Sequence, residues 1–233
     1  MELVELRPEL HLLRFPVGQA YLWQDADGLT LIDTGPVGAG EAIRLAIEDL
    51  GHHHRDLRRI VLTHAHGDHA GSAAEIREWS DAPLLVHRND APLVEGILPV
   101  PPPVLLDWER PLFALVDGHL GAPPVAVDQE VSDGDILDFG GGAHVISIPG
   151  HTAGSIALHL PRYGVLFTGD AVAEYEGQLI LGVFNQDRTA ATHSLSRLAG
   201  FDAGMLCFGH GEPVRSGGTA RLRELAMISH SEQ

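Results

Sequence analysis

The sequence predicts an α/β protein, because short apolar strands alternate with helical segments along its 233 residues. Several of these strands end at an aspartate or a histidine, and this is where α/β sheets usually build their sites. The chain is long enough to bury a substantial hydrophobic core.

In the first half, LTLID at 29–33 is predicted to be a buried strand. It is followed by an amphipathic helix on which Ile43 and Ile47 share a face. The next strand is IVLTH at 60–64, and a helix is predicted from Asp68 to Trp79.

The second half also contains short apolar strands and helices. Strands are predicted at ILDF, HVISI, SIALHL, VLFTGD and MLCFGH, with one helix around 187–199 and a last helix from about 218.

The two halves resemble each other. LTLIDTG matches GVLFTGD as an apolar strand that ends near Asp33 or Asp170, and IVLTHAH matches MLCFGH as one that ends at His64 or His210. The chain is therefore interpreted as two copies of one unit, each delivering an Asp and a His to the carboxyl ends of its strands.

Charge and cysteine usage narrow the functional classes. The formal net charge is −17, from 15 Lys and Arg against 32 Asp and Glu, which disfavours nucleic acid and anionic membranes as partners. Cys207 is the single cysteine, and MELVELRPEL shows neither a signal peptide nor a membrane span. A cytoplasmic protein with a small-molecule substrate is expected.

The stretch IVLTHAHGDHAG at 60–71 concentrates metal-binding groups directly after a strand. A turn at Gly67 lets His64 and His66 point to one metal ion, while Asp68 and His69 at the start of the next helix point to a neighbouring one. Because such groups also carry protons, Asp68 is a candidate catalytic residue as well as a ligand.

Further candidate ligands lie in glycine-flanked turns downstream: His151 in IPGHTAGS, Asp170 in FTGDA and His210 in FGHGEP. The complete set has imidazole and carboxylate donors in sufficient number for two ions.

These residues resemble the metallo-β-lactamase superfamily over nearly the whole chain, through the HxHxDH motif, the separate His, Asp and His in order, and Asp33 in LIDTG. The resemblance implies a single domain over 1–233, an αββα sandwich of two pseudo-repeated halves. It also implies that His64, His66 and His151 bind one ion, that Asp68, His69 and His210 bind the other, that Asp170 bridges them, and that Asp33 supports a ligand from behind.

The implied activity is a dinuclear-metal hydrolase for a small ester, lactone, thioester or amide, using a metal-bridging hydroxide. Ions roughly 3.5–4 Å apart acidify a shared water and stabilise the developing oxyanion. Ligands without thiolate suit two Zn²⁺ per chain, with iron or manganese as alternatives. Two other functions remain open: a mononuclear-iron persulfide dioxygenase and a metal-binding pseudo-enzyme.

Some subfamilies fit the sequence less well. A glyoxalase-II-like enzyme is expected to carry a further C-terminal helical domain, whereas the residues after His210 are few. The lactonases that cleave acyl-homoserine lactones carry a Tyr three residues after the bridging Asp, where this chain has Ala173. Tyr175 is the residue that takes this role if the chain is a lactonase.

An apolar, Pro-rich insertion is predicted at about 88–128, between the two halves. Its composition differs from that of a hydrated linker, and Trp108 and Phe113 are candidate substrate-binding residues. The insertion is expected either to cap the metal pocket or to form a homodimer interface.

Overall fold

Two sheets with associated helices make up the framework of the computed structural model, which describes residues 1–116 and 121–231. By internal contacts these residues form two compact units, 1–100 with 121–131 and 101–116 with 132–231. Each predicted half therefore supplies most of one unit.

Among the described residues, the first unit holds a seven-stranded sheet in the order β1 to β7. The strands are β1 (Glu2–Arg7), β2 (Leu10–Arg14), β3 (Gln19–Asp25), β4 (Gly28–Ile32), β5 (Leu57–Val61), β6 (Leu84–His87) and β7 (Gln129–Val131). Its helices are α1 (Gly40–Asp49), α2 (Ala73–Trp79) and α3 (Ala91–Val94), with a single 3-10 turn at His54–Asp56.

Strands β1 to β4 are antiparallel, whereas β4, β5, β6 and β7 run parallel to one another. Because parallel strands share a direction, the carboxyl ends of β4, β5 and β6 meet at one edge of the sheet. The sequence pattern predicted β4 and β5 but left β1 to β3 unassigned.

The second unit contains a five-stranded sheet, a separate hairpin and three helices among the described residues. These elements are α4 (Arg110–Val116), β8 (Ile136–Leu137), β9 (Ala143–Ser147), β10 (Ile156–Leu160), β11 (Val165–Phe167), β12 (Val172–Tyr175), β13 (Gln178–Leu181), α5 (Arg188–Leu198), β14 (Met205–Cys207) and α6 (Gly218–Ser231). The sheet order is β14-β11-β10-β9-β8, and β12 pairs with β13.

The predicted internal repeat has a counterpart in how the strands pair. In the first unit β4 pairs in parallel with β5, and in the second unit β11 pairs in parallel with β14. His64 lies three residues beyond Val61 of β5, and His210 lies three residues beyond Cys207 of β14. Corresponding strands are therefore followed by their histidines after the same number of residues.

The predicted helix over Asp68 to Trp79 is wrong at its start, because α2 begins at Ala73. The carbonyl of His69 accepts hydrogen bonds from the backbone N–H of Thr34, at 2.6 Å, and from the Thr34 hydroxyl, at 2.8 Å. The Ser72 hydroxyl donates to the Pro36 carbonyl in the same loop. Residues 67–72, which make these contacts with a distant segment, form consecutive turns and a bend instead of the start of a continuous helix.

The predicted insertion at 88–128 divides between the units. Residues 88–100 and 121–128 belong to the first unit, where Ala122, Val125 and Val127 pack on its core, and 101–116 belong to the second. Residues 117–120 lie outside the described part of the chain.

Helix α1 offers a test of how the hydrophobic core of the first unit is packed. Ile47 is fully buried against the sheet, whereas Leu45 on the opposite side is 46% exposed. We expect Ile47→Ala to lower the free energy of unfolding by about 2–5 kcal/mol and Leu45→Ala to change it by less than about 0.5 kcal/mol. Urea denaturation of both variants measures this difference, and equal losses would contradict the assigned helix face.

Candidate metal centre

In the first unit, Asp33 follows β4 directly and is buried in a left-handed backbone conformation, with φ of 60°. Its Oδ1 accepts the Thr63 backbone N–H at 2.7 Å, and its Oδ2 accepts the Thr63 hydroxyl at 2.8 Å. The same Oδ2 lies 2.9 Å from Nδ1 of His69. A non-glycine residue at positive φ is strained, so these bonds hold a conformation that the chain would otherwise avoid.

These bonds determine which ring nitrogen carries the proton in two histidines. A carboxylate only accepts, so Nδ1 of a neutral His69 is the donor and Nε2 holds the lone pair. The Thr63 hydroxyl has one proton, which it gives to Asp33, so at 3.0 Å it accepts from Nδ1 of His64. One buried carboxylate thus prepares Nε2 of both His64 and His69 as metal ligands.

The HxHxDH turn brings the remaining donors of this unit together. The backbone N–H groups of His69 and Ala70 both donate to the His66 carbonyl, which folds the chain back after His66. The His64 ring centroid lies 4.8 Å from that of His66 and 4.1 Å from that of His69. Nε2 of His69 is 3.6 Å from Oδ2 of Asp68.

This turn requires a glycine at Gly71. A Cβ at Gly71 would lie 2.1 Å from the Gly67 carbonyl oxygen and 2.4 Å from the Val37 nitrogen, distances that no side chain tolerates.

Asp90 supports the turn from the end of β6, although the sequence pattern did not single it out. Its side chain is fully buried, and its Oδ2 accepts the Ala65 backbone N–H at 2.9 Å, between His64 and His66. The available signal was its position just after the strand PLLVH, which ends at the same sheet edge as β5.

In the second unit, Asp170 lies between two histidines. Its Oδ2 is 3.5 Å from Nε2 of His151 and 3.2 Å from Nε2 of His210. Nδ1 of His151 is 3.1 Å from the Val183 carbonyl. A carbonyl only accepts, so a neutral His151 carries its proton on Nδ1 and its lone pair on Nε2.

The loop that carries His210 is fixed by β12. The Glu174 backbone N–H donates to the His210 carbonyl at 3.2 Å, and the Glu174 carboxylate accepts the Glu212 N–H at 2.7 Å. Gly211, with φ of 94°, packs so closely that a Cβ would lie 2.1 Å from the Glu174 carbonyl oxygen. A glycine is therefore required beside His210.

The nitrogen and oxygen atoms brought together in each unit are suited to binding a cation. In the first unit the lone pair of His69 Nε2 faces the Asp68 carboxylate, and in the second that of His151 Nε2 faces Asp170. Two acceptors facing each other repel unless a proton or a metal ion lies with them. Nitrogen and oxygen donors of this kind suit zinc, iron or manganese. Thiolate does not contribute from Cys207, because burial raises the pKa of its thiol well above the usual range.

The three predicted substrate-binding residues all lie in the second unit. Phe113 of α4 contacts Phe184 edge to face, with ring centroids 5.2 Å apart. Trp108 is 54% exposed and Tyr175 is 63% exposed. Tyr175 is the last residue of β12, two positions beyond Ala173 and beside the turn of the hairpin.

Comparison with known proteins identifies the family to which the chain belongs. The model of the metallo-beta-lactamase superfamily matches residues 13–210, so the chain belongs to this superfamily. A metallo-beta-lactamase family protein of Thermus thermophilus superposes with a TM-score of 0.72 at 25% identity, covering 97% of this chain and 81% of that one. A Cronobacter sakazakii metallo-beta-lactamase gives a TM-score of 0.77 at 23% identity, with 100% and 94% covered. The predicted family and fold class are confirmed.

Curated relatives have similar sequences. The probable metallo-hydrolase YflN of Bacillus subtilis is 31% identical, with 88% of this chain and 84% of that protein covered. A hydroxyacylglutathione hydrolase of Cereibacter sphaeroides is 31% identical over 76% of this chain, and the match spans 57% of the relative's length.

None of the helices in the described part of the chain is both long and apolar enough to cross a membrane.

The role of Asp33 can be tested by Asp33→Asn. The Asn amide keeps one acceptor oxygen but brings a donor to the position of Oδ2, where it faces the Thr63 hydroxyl and His69 Nδ1. His69 is then driven to the tautomer that places its proton on Nε2. We expect metal affinity to fall roughly 10- to 100-fold, measured by competition with a chromophoric chelator. Wild-type affinity in this variant would remove Asp33 from the site.

Proposed function

We propose that this protein is a metal-dependent hydrolase that uses two metal ions, most suitably zinc, to cleave a small ester, lactone, thioester or amide. The observation that carries the proposal is that the Asp33 network gives two neighbouring histidines of the HxHxDH motif the tautomer that a metal ligand needs. Membership of the superfamily and a metallo-hydrolase among the relatives support it.

We assign the ligands as two sets with one shared member. His64, His66 and His151 would hold one ion, Asp68, His69 and His210 would hold the other, and Asp170 would be shared by both. Within the first unit, the ligand atoms of His64 and His66, and those of Asp68 and His69, lie within 4.8 Å of one another. Within the second, Asp170 approaches both of its histidines.

When bound, metal ions supply Lewis acidity and lower the pKa of coordinated water, so that hydroxide is available near neutral pH. The protein's own residues orient and prepare the donors. Asp33 keeps the proton on Nδ1 of His69, and the Val183 carbonyl keeps it on Nδ1 of His151. Asp68, partly accessible to solvent, is proposed to accept a proton during the reaction in addition to its role as a ligand.

The thioester class has specific support. Several relatives are named hydroxyacylglutathione hydrolases, and such a substrate is an acyl thioester. This chain spans a little over half the length of those relatives, so their whole activity is not transferred to it. The net charge of −17 disfavours phosphate-rich substrates such as nucleic acids. A cytoplasmic location and a homodimer remain predictions.

Metal content provides the first test. We expect protein purified without chelator to carry close to two metal ions per chain, mostly zinc, by elemental analysis. Asp170→Ala removes the carboxylate shared by both sets, so this variant should carry one ion or fewer and lose hydrolysis. The exposed Asp107→Ala is the matched control and should retain both ions. A single iron per chain, with oxygen consumption in the presence of a persulfide, would overturn the hydrolase and establish the dioxygenase.

Substrate length provides a second test, at Trp108 and Phe113. If their side chains cover an acyl chain, replacing either with Ala should weaken turnover of long acyl substrates more than short ones, since about 25 cal/mol is lost per Å² of apolar contact. Chain-length kinetics and sedimentation are measured together. Equal losses at all chain lengths, with a fall in oligomeric mass, would show that these residues form an interface between copies instead.

A further inference from the structure

Glu109 is a buried carboxylate that the reaction as described does not use. Only 1% of the residue is exposed, although the other residues of segment 101–116 are exposed or half-buried. Its Oε2 accepts the Leu106 N–H at 2.8 Å, and its Oε1 accepts the Phe184 N–H at 3.3 Å. Arg188 approaches Oε1 to 3.9 Å. Because burying a charge is costly, its placement between these donors calls for an explanation.

The turn that Glu109 contacts is strained and held from several sides. Phe184 has a φ of 60°, a conformation that a bulky residue rarely adopts. Its ring packs against Phe113, and the neighbouring Asn185 carbonyl accepts the Val104 N–H at 2.9 Å. Segment 101–116 therefore keeps this turn in a conformation that it would not hold alone.

The same turn holds His151 through its ring and its backbone. The Val183 carbonyl lies 3.1 Å from Nδ1 of His151. The Gln186 N–H donates to the His151 carbonyl at 3.3 Å, and the Asp187 N–H donates to the Gly150 carbonyl at 2.9 Å.

The Val183 carbonyl and the Phe184 N–H belong to one peptide unit. A trans peptide is planar, and its N–H and C=O point in opposite directions. Glu109 accepts from one side of this unit and His151 donates to the other, which gives a continuous chain from carboxylate through peptide to imidazole. Negative charge at the N–H polarises the peptide and makes its carbonyl a stronger acceptor.

We propose that Glu109 is a positioning residue for His151, acting through the Val183–Phe184 peptide. It fixes the orientation of the His151 ring, keeps its proton on Nδ1 and makes Nε2 a stronger metal ligand. A carboxylate that accepts directly from a metal-binding histidine fixes its tautomer and makes it a stronger ligand. In this protein one peptide unit lies between the Glu109 carboxylate and the His151 ring. The inference rests on the proposed function, in which His151 binds a metal ion.

A purely structural role is the competing explanation, because Glu109 also accepts the Leu106 N–H just before α4. Such a role would affect stability alone. The relay affects His151 even in metal-free protein, so the two explanations predict different measurements.

The test compares Glu109→Gln and Glu109→Ala with Asp107→Asn. Glutamine has nearly the shape of glutamate but is neutral and has one acceptor oxygen for two N–H donors. Asp107 belongs to the same segment, is fully exposed and makes its ion pair only locally with Arg110, so Asp107→Asn matches the loss of charge. Three quantities are measured: Zn²⁺ affinity by chelator competition, the ¹⁵N shifts of the His151 ring in metal-free protein, and the thermal unfolding midpoint. The His151 signals are assigned with His151→Gln.

We expect Glu109→Gln to lower Zn²⁺ affinity about 10-fold and Glu109→Ala to lower it up to about 100-fold, the usual range for groups that support a ligand. The His151 ring signals should move toward those of a mixture of tautomers in both variants, and Asp107→Asn should match wild type. If Glu109→Ala does not fold, Glu109→Gln decides the question.

A lower unfolding midpoint with wild-type affinity and wild-type His151 signals would overturn the relay and leave Glu109 a structural role. If the wild-type protein binds no metal ion, the proposed function fails. The His151 signals of metal-free protein still decide whether Glu109 acts on His151, so the two failures are distinguishable.

Discussion

A neutral imidazole has one lone pair, and the site depends on which nitrogen holds it. Asp33 places the lone pair on Nε2 of His69 through a direct hydrogen bond. It does the same for His64 through the Thr63 hydroxyl. Because the carboxylate is buried, it has little water to compete for these donors, and its bonds also hold its own backbone at positive φ. His64 and His69, which both follow β5, therefore depend on a residue that follows a different strand, β4.

The two units use the same strand pairing for different purposes. Each places an Asp-bearing strand in parallel beside a His-bearing strand. Asp33 follows Ile32 immediately, and its side chain bonds Thr63. Asp170 lies three residues beyond Phe167, far enough along the chain to reach His151 and His210. A difference of two residues after the strand thus separates a supporting carboxylate from a candidate ligand.

The segment between the halves has a buried contact as well as an exposed surface. Residues 101–116 expose Trp108 to solvent but bury Glu109 against the turn that holds His151. A change in this segment can therefore alter both the exposed surface around Trp108 and the turn whose Val183 carbonyl contacts His151. The same segment contacts the strained residue Phe184 through its backbone N–H and its ring.

The sequence by itself determined the strands β4, β5 and β11, the candidate ligands and the family, because apolar runs and closely spaced His and Asp residues are local signals. It misplaced the start of α2 and did not reveal the roles of Thr63, Asp90 or Glu109. Those roles depend on hydrogen bonds between distant positions, such as Thr63 with Asp33, 30 residues apart, and Glu109 with Phe184, 75 residues apart. Only the tertiary structure brings such groups within hydrogen-bonding distance, since no local pattern encodes which donor a buried carboxylate will meet.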